Sequence, residues 1–226
     1  MKNQLQQKQI SKKTIAYDYI RKNILDGTFT PGYRLVIDKI KKELKISSIP
    51  VREAIQQLQA ENLIDIVPYS GAVVKMIDEK GYEELQAISA LLEGYADRQA
   101  ANYISSKDIK KLEEINKKMR EALNNLAFED MGKLDHEFHL YILHKCHNEH
   151  VISTLKSIWE SIAQVRNVIF TIIPWRAKDS ISEHAKLLAL FKEKASPDVI
   201  EHFGRQHKLN VLFSLKNKQG LKNFVK

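Results

Sequence analysis

Between Thr14 and Asp26, residues Ile15, Tyr19, Ile20 and Ile24 recur at three- and four-residue spacing, the period of a helix with one face turned to a core. Gly27 follows, where a helix ends in a left-handed residue. Thr30-Pro31-Gly32 breaks the pattern, and Ile37, Ile40 and Leu44 then mark a short second helix beginning near Val36 to Asp38. A turn with Ser47 and Ser48 comes next. Either hydroxyl can accept from the first free amides of a third helix, which carries Pro50 in its first turn and runs to about Glu61. Val51, Ile55 and Leu58 form its inward stripe, leaving Arg52, Gln56 and Gln59 on another face. The period then changes to two at Leu63 to Val67. Pro68-Tyr69-Ser70-Gly71 makes a turn, and Ala72 to Ile77 reads as a second strand. Three helices and a hairpin predict a winged helix-turn-helix, whose third helix fits the DNA major groove while the hairpin meets the backbone or minor groove.

From Asp78 onward only helical patterns remain. Asp78 to Ile104 carries Leu85, Ile88, Leu92 and Tyr95, and Ser105 or Ser106 caps a helix with Ile109, Leu112, Ile115, Met119 and Leu123. Further helices are expected over Phe128–Cys146, over Val151–Ile173 with Pro174 ending it, over Ser180–Lys194, and from Pro197 to about Leu215 with Ser196 as cap. The fold expected is therefore mainly α: a winged helix-turn-helix over residues 1–76, then an antiparallel all-α bundle of about six helices over residues 77–226.

Charge sharpens that division. Of the net +8, the first 76 residues hold +6, with 13 Lys and Arg against 7 Asp and Glu. A basic excess confined to the expected helix-turn-helix favours a polyanion partner, nucleic acid before membrane. The single cysteine excludes an internal disulfide and fits a reducing cytoplasm. No apolar run approaches the roughly 18 residues of a membrane span, so a cytoplasmic protein is expected.

Candidate chemistry concentrates in Lys133–His150, KLDHEFHLYILHKCHNEH. Helical angle separates its members: Asp135 and His139 lie about 40° apart, whereas His136 is about 100° and His144 about 180° from Asp135. Two ligands are too few for tight metal binding, so partners must come from other helices, where His184 and either His202 or His207 are available. His202 and His207 are about 140° apart, so one of them at most looks inward. His144, Cys146, His147 and His150 read as surface or helix-end residues.

Two stretches resemble a known family. PGYRL, ISSIPVREAIQQLQAENLI and PYSGAVV together are similar to the DNA-binding domain of GntR-family bacterial transcription regulators. The resemblance implies that Arg34 contacts phosphate, that Ser47 and Ser48 open the recognition helix, that Arg52 reads a base with Gln56 on the same helix, and that Gly71 sits at the wing tip. Ser48 stands where the family usually has arginine and Ile49 where it usually has a hydroxyl, which implies a different half-site, with Ile49 suited to a thymine methyl.

DHEFH, EHAKLLALF and HFGRQHKL likewise resemble the all-helical effector-binding (FCD-type) domain of the FadR-type branch. This implies a divalent metal on Asp135, His139, His184 and His207, zinc foremost with nickel, iron and manganese also accommodated. It further implies open metal positions facing a small organic acid. Arg166 and Arg176 are the cations placed to pair with such an effector. Ser89 replaces an arginine common on the first bundle helix, which sets this pocket apart from a standard sugar-acid or hydroxy-acid site. The reading is a homodimeric, effector-responsive regulator on a palindromic operator, because one small head contacts too few base pairs. A metal-dependent enzyme acting on a small carboxylic acid is the alternative, disfavoured because no general base beyond the ligands is visible.

Overall fold

A computed structural model describes residues 11–76, 78–163, 169–170 and 173–216. Its backbone contacts divide the chain into two compact units, Met1–Met76 and Ile77–Lys226.

The first unit contains α1 (Lys12–Leu25), α2 (Ile37–Leu44), α3 (Ser48–Ala60), β1 (Ile64–Val67) and β2 (Gly71–Val74). Ser11 caps α1 by accepting the Thr14 amide, and Gly27 takes the left-handed φ of 84° after its end. The turn into α3 depends on Lys45, at φ 53°, and on Ile46, whose N–H returns to the Lys41 carbonyl at 3.1 Å. Ala16, Ile20 and Ile24 of α1 bury against Val51, Ala54, Ile55 and Leu58 of α3. The α3 stripe is the one that the sequence pattern marks; on α1 Ile20 and Ile24 face the core as expected, whereas Ile15 is exposed, Tyr19 is half-buried, and Ala16 takes an inward position instead.

The wing differs from expectation in extent. β1 and β2 pair antiparallel from Ile64↔Val74 to Val67↔Gly71, so the second strand stops before Met76, and Ile77 lies outside the described residues. Residues 32–35, read only as a helix-breaking loop, instead add an edge to β2. The Gly32 amide donates to Val74, Leu35 to Ala72, and the Val74 amide to Tyr33, each at 2.9 Å, with Arg34 bridged to Val73. Ile66 and Val67 are exposed, so alternation toward a core fails where the hairpin extends beyond it.

The second unit contains α4 (Glu79–Ala100), α5 (Ser106–Asn124), α6 (Phe128–His144), α7 (Glu149–Ser161), α8 (Pro174–Lys192) and α9 (Pro197–Lys216). Ser105 and Asp108 form a capping box on α5. Asn148 caps α7, and the Ser196 hydroxyl accepts the Val199 amide at 3.4 Å. Two boundaries correct the sequence reading. α7 ends at Ser161 rather than running to Ile173, and Pro174 opens α8 instead of merely closing its predecessor, six residues before the expected start at Ser180. Proline at the first helical position sacrifices an amide that has no intrahelical partner.

α4 packs along α9, α5 lies against α6 and α8, and α7 joins α4. The α4–α9 crossing is close because glycines stand at it. A Cβ on Gly94 would meet the Glu201 carbonyl oxygen at 2.7 Å, and one on Gly204 would collide with the Asp97 carboxylate. Gly94→Ala should therefore lower stability by about 1–3 kcal/mol, the usual cost of overpacking, seen as a lower thermal midpoint. An unchanged midpoint would mean that these helices separate freely.

Candidate functional site

In the first unit the predicted nucleic-acid contacts share the exposed side of α3 and the wing. Ile49, Arg52 and Gln56 are exposed on α3, and neither Arg52 nor Arg34 has an ion-pair partner among the described residues. Asp38, a potential partner, instead binds Lys41 at 2.7 Å. Ser47 occupies the N-cap of α3 without the side-chain hydrogen bond expected of it, and Ser48 is half-buried in the first turn. Arg34 is exposed beside the wing through its bridge to Val73. Gly71 holds φ 79° at the start of β2, and the fully exposed Tyr69 holds φ 64° in the preceding turn. The sequence reading did not single out Tyr69.

In the second unit α6, α8 and α9 each bring one imidazole to a common point. His139 Nε2 lies 3.1 Å from His184 Nε2 and 3.2 Å from His207 Nε2, and the three rings are buried. Asp135, one turn before His139, places Oδ1 3.6 Å from His184 Nε2 and 4.0 Å from His139 Nε2. His202 is exposed, so His207 is the inward member of that pair. The four residues that the resemblance implies as ligands are thus together. Of the histidines set aside, His147 meets Tyr103 edge-on at 4.4 Å, and neighbouring Cys146 is buried with its thiol pKa raised by that burial.

Three nitrogens this close cannot satisfy one another, because a neutral imidazole has one donor and one acceptor. His207 Nδ1 lies 2.5 Å from Glu183 Oε2, which commits the ring proton to that side and turns the Nε2 lone pair to the centre. Glu93 Oε2 stands 3.6 Å from His139 Nδ1, on the corresponding side of that ring. Among the described residues His184 has no hydrogen-bond partner on Nδ1, and its ring stacks on Phe138, ring centroids 4.0 Å apart.

Burial pushes His139 and His184 well below the ordinary 6.5, with neighbouring imidazoles and Lys208 adding to it. His207 is lowered too, by burial, with Glu183 opposing. All three rings are therefore neutral near pH 7, the form that ligates metal. Among the described residues Asp135 Oδ1 is buried without a hydrogen bond, and the acidic groups Glu93, Asp135 and Glu183 outnumber the cations Lys208 and Arg176. Converging lone pairs, an unserved carboxylate oxygen and excess negative charge fit a divalent cation.

The effector candidates occupy other positions than free contacts would. Ser89 is sealed, donating to Glu93 Oε1 at 2.7 Å, while Trp159 Nε1 donates to the same oxygen at 3.0 Å and lies 3.3 Å from the Ser89 hydroxyl. Arg176 is buried, ion-paired to Glu183 and donating to the His207 carbonyl at 3.3 Å. Arg166 lies outside the described residues. Glu93, Glu183, Lys208 and Trp159 were missed as site residues. Burial alone would raise Glu183, but hydrogen bonds from His207 and Arg176 bring it down to about 2. Lys208 Nζ pairs with Glu93 Oε2 at 3.0 Å. Only Glu183 left a sequence signal, its place immediately before His184.

Zinc titration against a chromophoric chelator should find binding lost in His184→Ala and weakened about 10- to 100-fold in Glu183→Gln, as for other carboxylates behind a ligating imidazole. Equal affinity of wild type and His184→Ala would refute the shared centre.

Comparison with known proteins places both units. Residues 12–74 match the model described as bacterial regulatory proteins, gntR family, and residues 84–207 match the FCD domain. The HTH-type transcriptional regulator YdhC of Bacillus subtilis is 25% identical over 203 residues, covering 87% of this chain and 90% of that protein. McbR of Escherichia coli, also an HTH-type transcriptional regulator, is 24% identical over 169 residues, 74% of this chain and 76% of its own. A solved structure of E. coli McbR/YncC superposes with a TM-score of 0.72 at 21% identity, covering 95% of this chain and 98% of that one. A putative GntR regulator from Rhodococcus sp. RHA1 gives 0.66 at 18% identity, covering 89% and 97%. With a GntR helix-turn-helix unit followed by an FCD domain, the chain belongs to the GntR family of bacterial regulatory proteins and is a DNA-binding transcription regulator rather than an enzyme.

Proposed function

We propose that this regulator is a homodimer of the FadR-type branch, cytoplasmic, which binds a palindromic operator and is controlled by a small organic acid captured at a metal in the helical unit. The observation that carries this reading is the convergence of three buried, neutral Nε2 atoms with the unserved Oδ1 of Asp135. Asp135, His139, His184 and His207 would hold the ion, zinc foremost. A divalent metal so bound offers open positions that attract a carboxylate. Glu183 keeps the His207 proton off the centre, Arg176 neutralises Glu183, and Ser89 with Trp159 holds Glu93 near His139. Ser89 and Arg176 thereby act through their carboxylate partners rather than on the acid itself.

At the DNA, Arg52 reads a base and Gln56 and Ile49 flank it on the exposed face of α3. Ser47 and Ser48 lie at the end of that helix that approaches the groove, with Arg34 and Gly71 on the wing side reaching the backbone. Ile88 and Leu91, exposed one turn apart on α4, supply an apolar stripe for a second copy. Control by the acid requires that it bind the DNA-competent and incompetent arrangements of the dimer with different affinity.

Arg52→Ala should abolish preference for the palindrome upstream of the protein's own gene while keeping salt-dependent, nonspecific retardation; intact preference would refute the recognition-helix assignment. Leu91→Glu should shift the protein toward monomer in sedimentation, and an unshifted dimer would place the interface elsewhere. In thermal-shift screening, organic acids should raise the midpoint of the zinc-loaded protein and not of the chelated one. An acid that stabilises both forms alike would remove the metal from the effector site.

A further inference from the structure

The buried face of α4 carries Gln86, Ser89, Glu93 and Asp97, a polar stripe in a helix whose other buried positions are alanine, glycine and tyrosine. Its two carboxylates are in opposite situations. Glu93 accepts from Ser89 and Trp159 on Oε1, and its Oε2, which accepts no hydrogen bond among the described residues, is ion-paired with the Lys208 ammonium at 3.0 Å. Asp97, one turn further along, is 5% exposed, and its side chain accepts no hydrogen bond and forms no ion pair among the described residues. Space is kept for it, because a side chain at Gly204 would collide with its Oδ2. Gly204 lies one turn before His207 and Lys208 on α9, so the free carboxyl sits next along the helix pair from the imidazole centre. Burial, with Glu93 beside it, pushes Asp97 well above 3.8, Lys208 opposing.

A buried carboxyl without a partner is costly, and a native core keeps one where a donor arrives from outside. The donor that best matches an anion flanked by a second carboxylate is a cation. We infer that Asp97 seats a protonated amine of the effector, so that the acid captured at the imidazole centre is an amino acid or another acid bearing an ammonium group. This rests on the acid-effector reading above. The carboxylate goes to the metal and the ammonium to Asp97, whereas a second carboxylate on the ligand would face Glu93 and Asp97 and be rejected.

The test is calorimetry on the full-length, zinc-loaded protein with matched pairs: alanine against lactate, β-alanine against β-hydroxypropionate, γ-aminobutyrate against γ-hydroxybutyrate. At least one amine should bind about tenfold or more tighter than its hydroxyl counterpart, the scale of a charge-assisted hydrogen bond. In Asp97→Asn that preference should vanish. Equal or tighter binding of the hydroxy acids by wild type overturns the inference and leaves the acid-effector reading standing. Amine preference that persists in Asp97→Asn also overturns it, and assigns the amine to direct coordination by zinc. Failure of every acid in both series to bind the zinc-loaded protein overturns the reading on which the inference rests.

Discussion

Three imidazoles and their surrounding carboxylates lie inside a helical bundle, and the cost of desolvating them governs the rest of that unit. A lone buried charge costs several kcal/mol, so most of these groups are kept neutral or matched. Neutral rings meet at the centre, and the charge is pushed outward to Glu183 with Arg176 and to Glu93 with Lys208. The compensating residues come from α4, α8 and α9, so α8 and α9 carry both ligands and compensating groups, while α4 sets Glu93 beside the His139 of α6. Phe138 covers His184 in place of a hydrogen bond. Loss of any of these contacts would leave a buried group unmatched rather than simply weaken a surface pair.

The N-terminal unit meets the opposite requirement, since its working side chains must remain free. Its core is small and apolar, built from one stripe each of α1 and α3 with the inner side of the wing. Arg34, Ile49, Arg52 and Gln56 are left on the outside. The added edge of residues 32–35 ties Arg34 to β2, which fixes an otherwise mobile type of side chain at its backbone. Tyr69 and Gly71 bend the wing with positive φ values, and only the glycine does so without steric cost.

Much of this was legible in the sequence because helical period and spacing are geometric. The inward stripe of α3 and the burial of Ile20 and Ile24 on α1 follow from the spacing of isoleucine, leucine and valine, and the pairing of Asp135 with His139 follows from their separation by one turn. Preference for His207 over His202 needed the family resemblance, since angle excluded only their joint participation. What escaped had a common cause. Glu93, Glu183 and Lys208 are charged residues, which read as solvated until a neighbouring helix is known to cover them. Arg176 likewise follows Pro174, where a helix was expected to stop, yet it is buried in the first turn of α8, because proline serves equally as a stop and as a start. The edge at residues 32–35 was hidden by its turn residues, since pairing of so short a segment is decided by the strand it meets.

The glycines at the α4–α9 crossing bear on more than packing. Gly94 fits against the Glu201 carbonyl and Gly204 fits beneath Asp97, so the two helices interlock at two levels about one turn apart along α4 and α9. Such an arrangement works as a vernier: sliding α9 by one turn, about 5.4 Å, would break both fits and carry His207 away from His139. Helix register and donor set are thus one degree of freedom, and whatever fastens the imidazoles together also sets how α9 stands along α4.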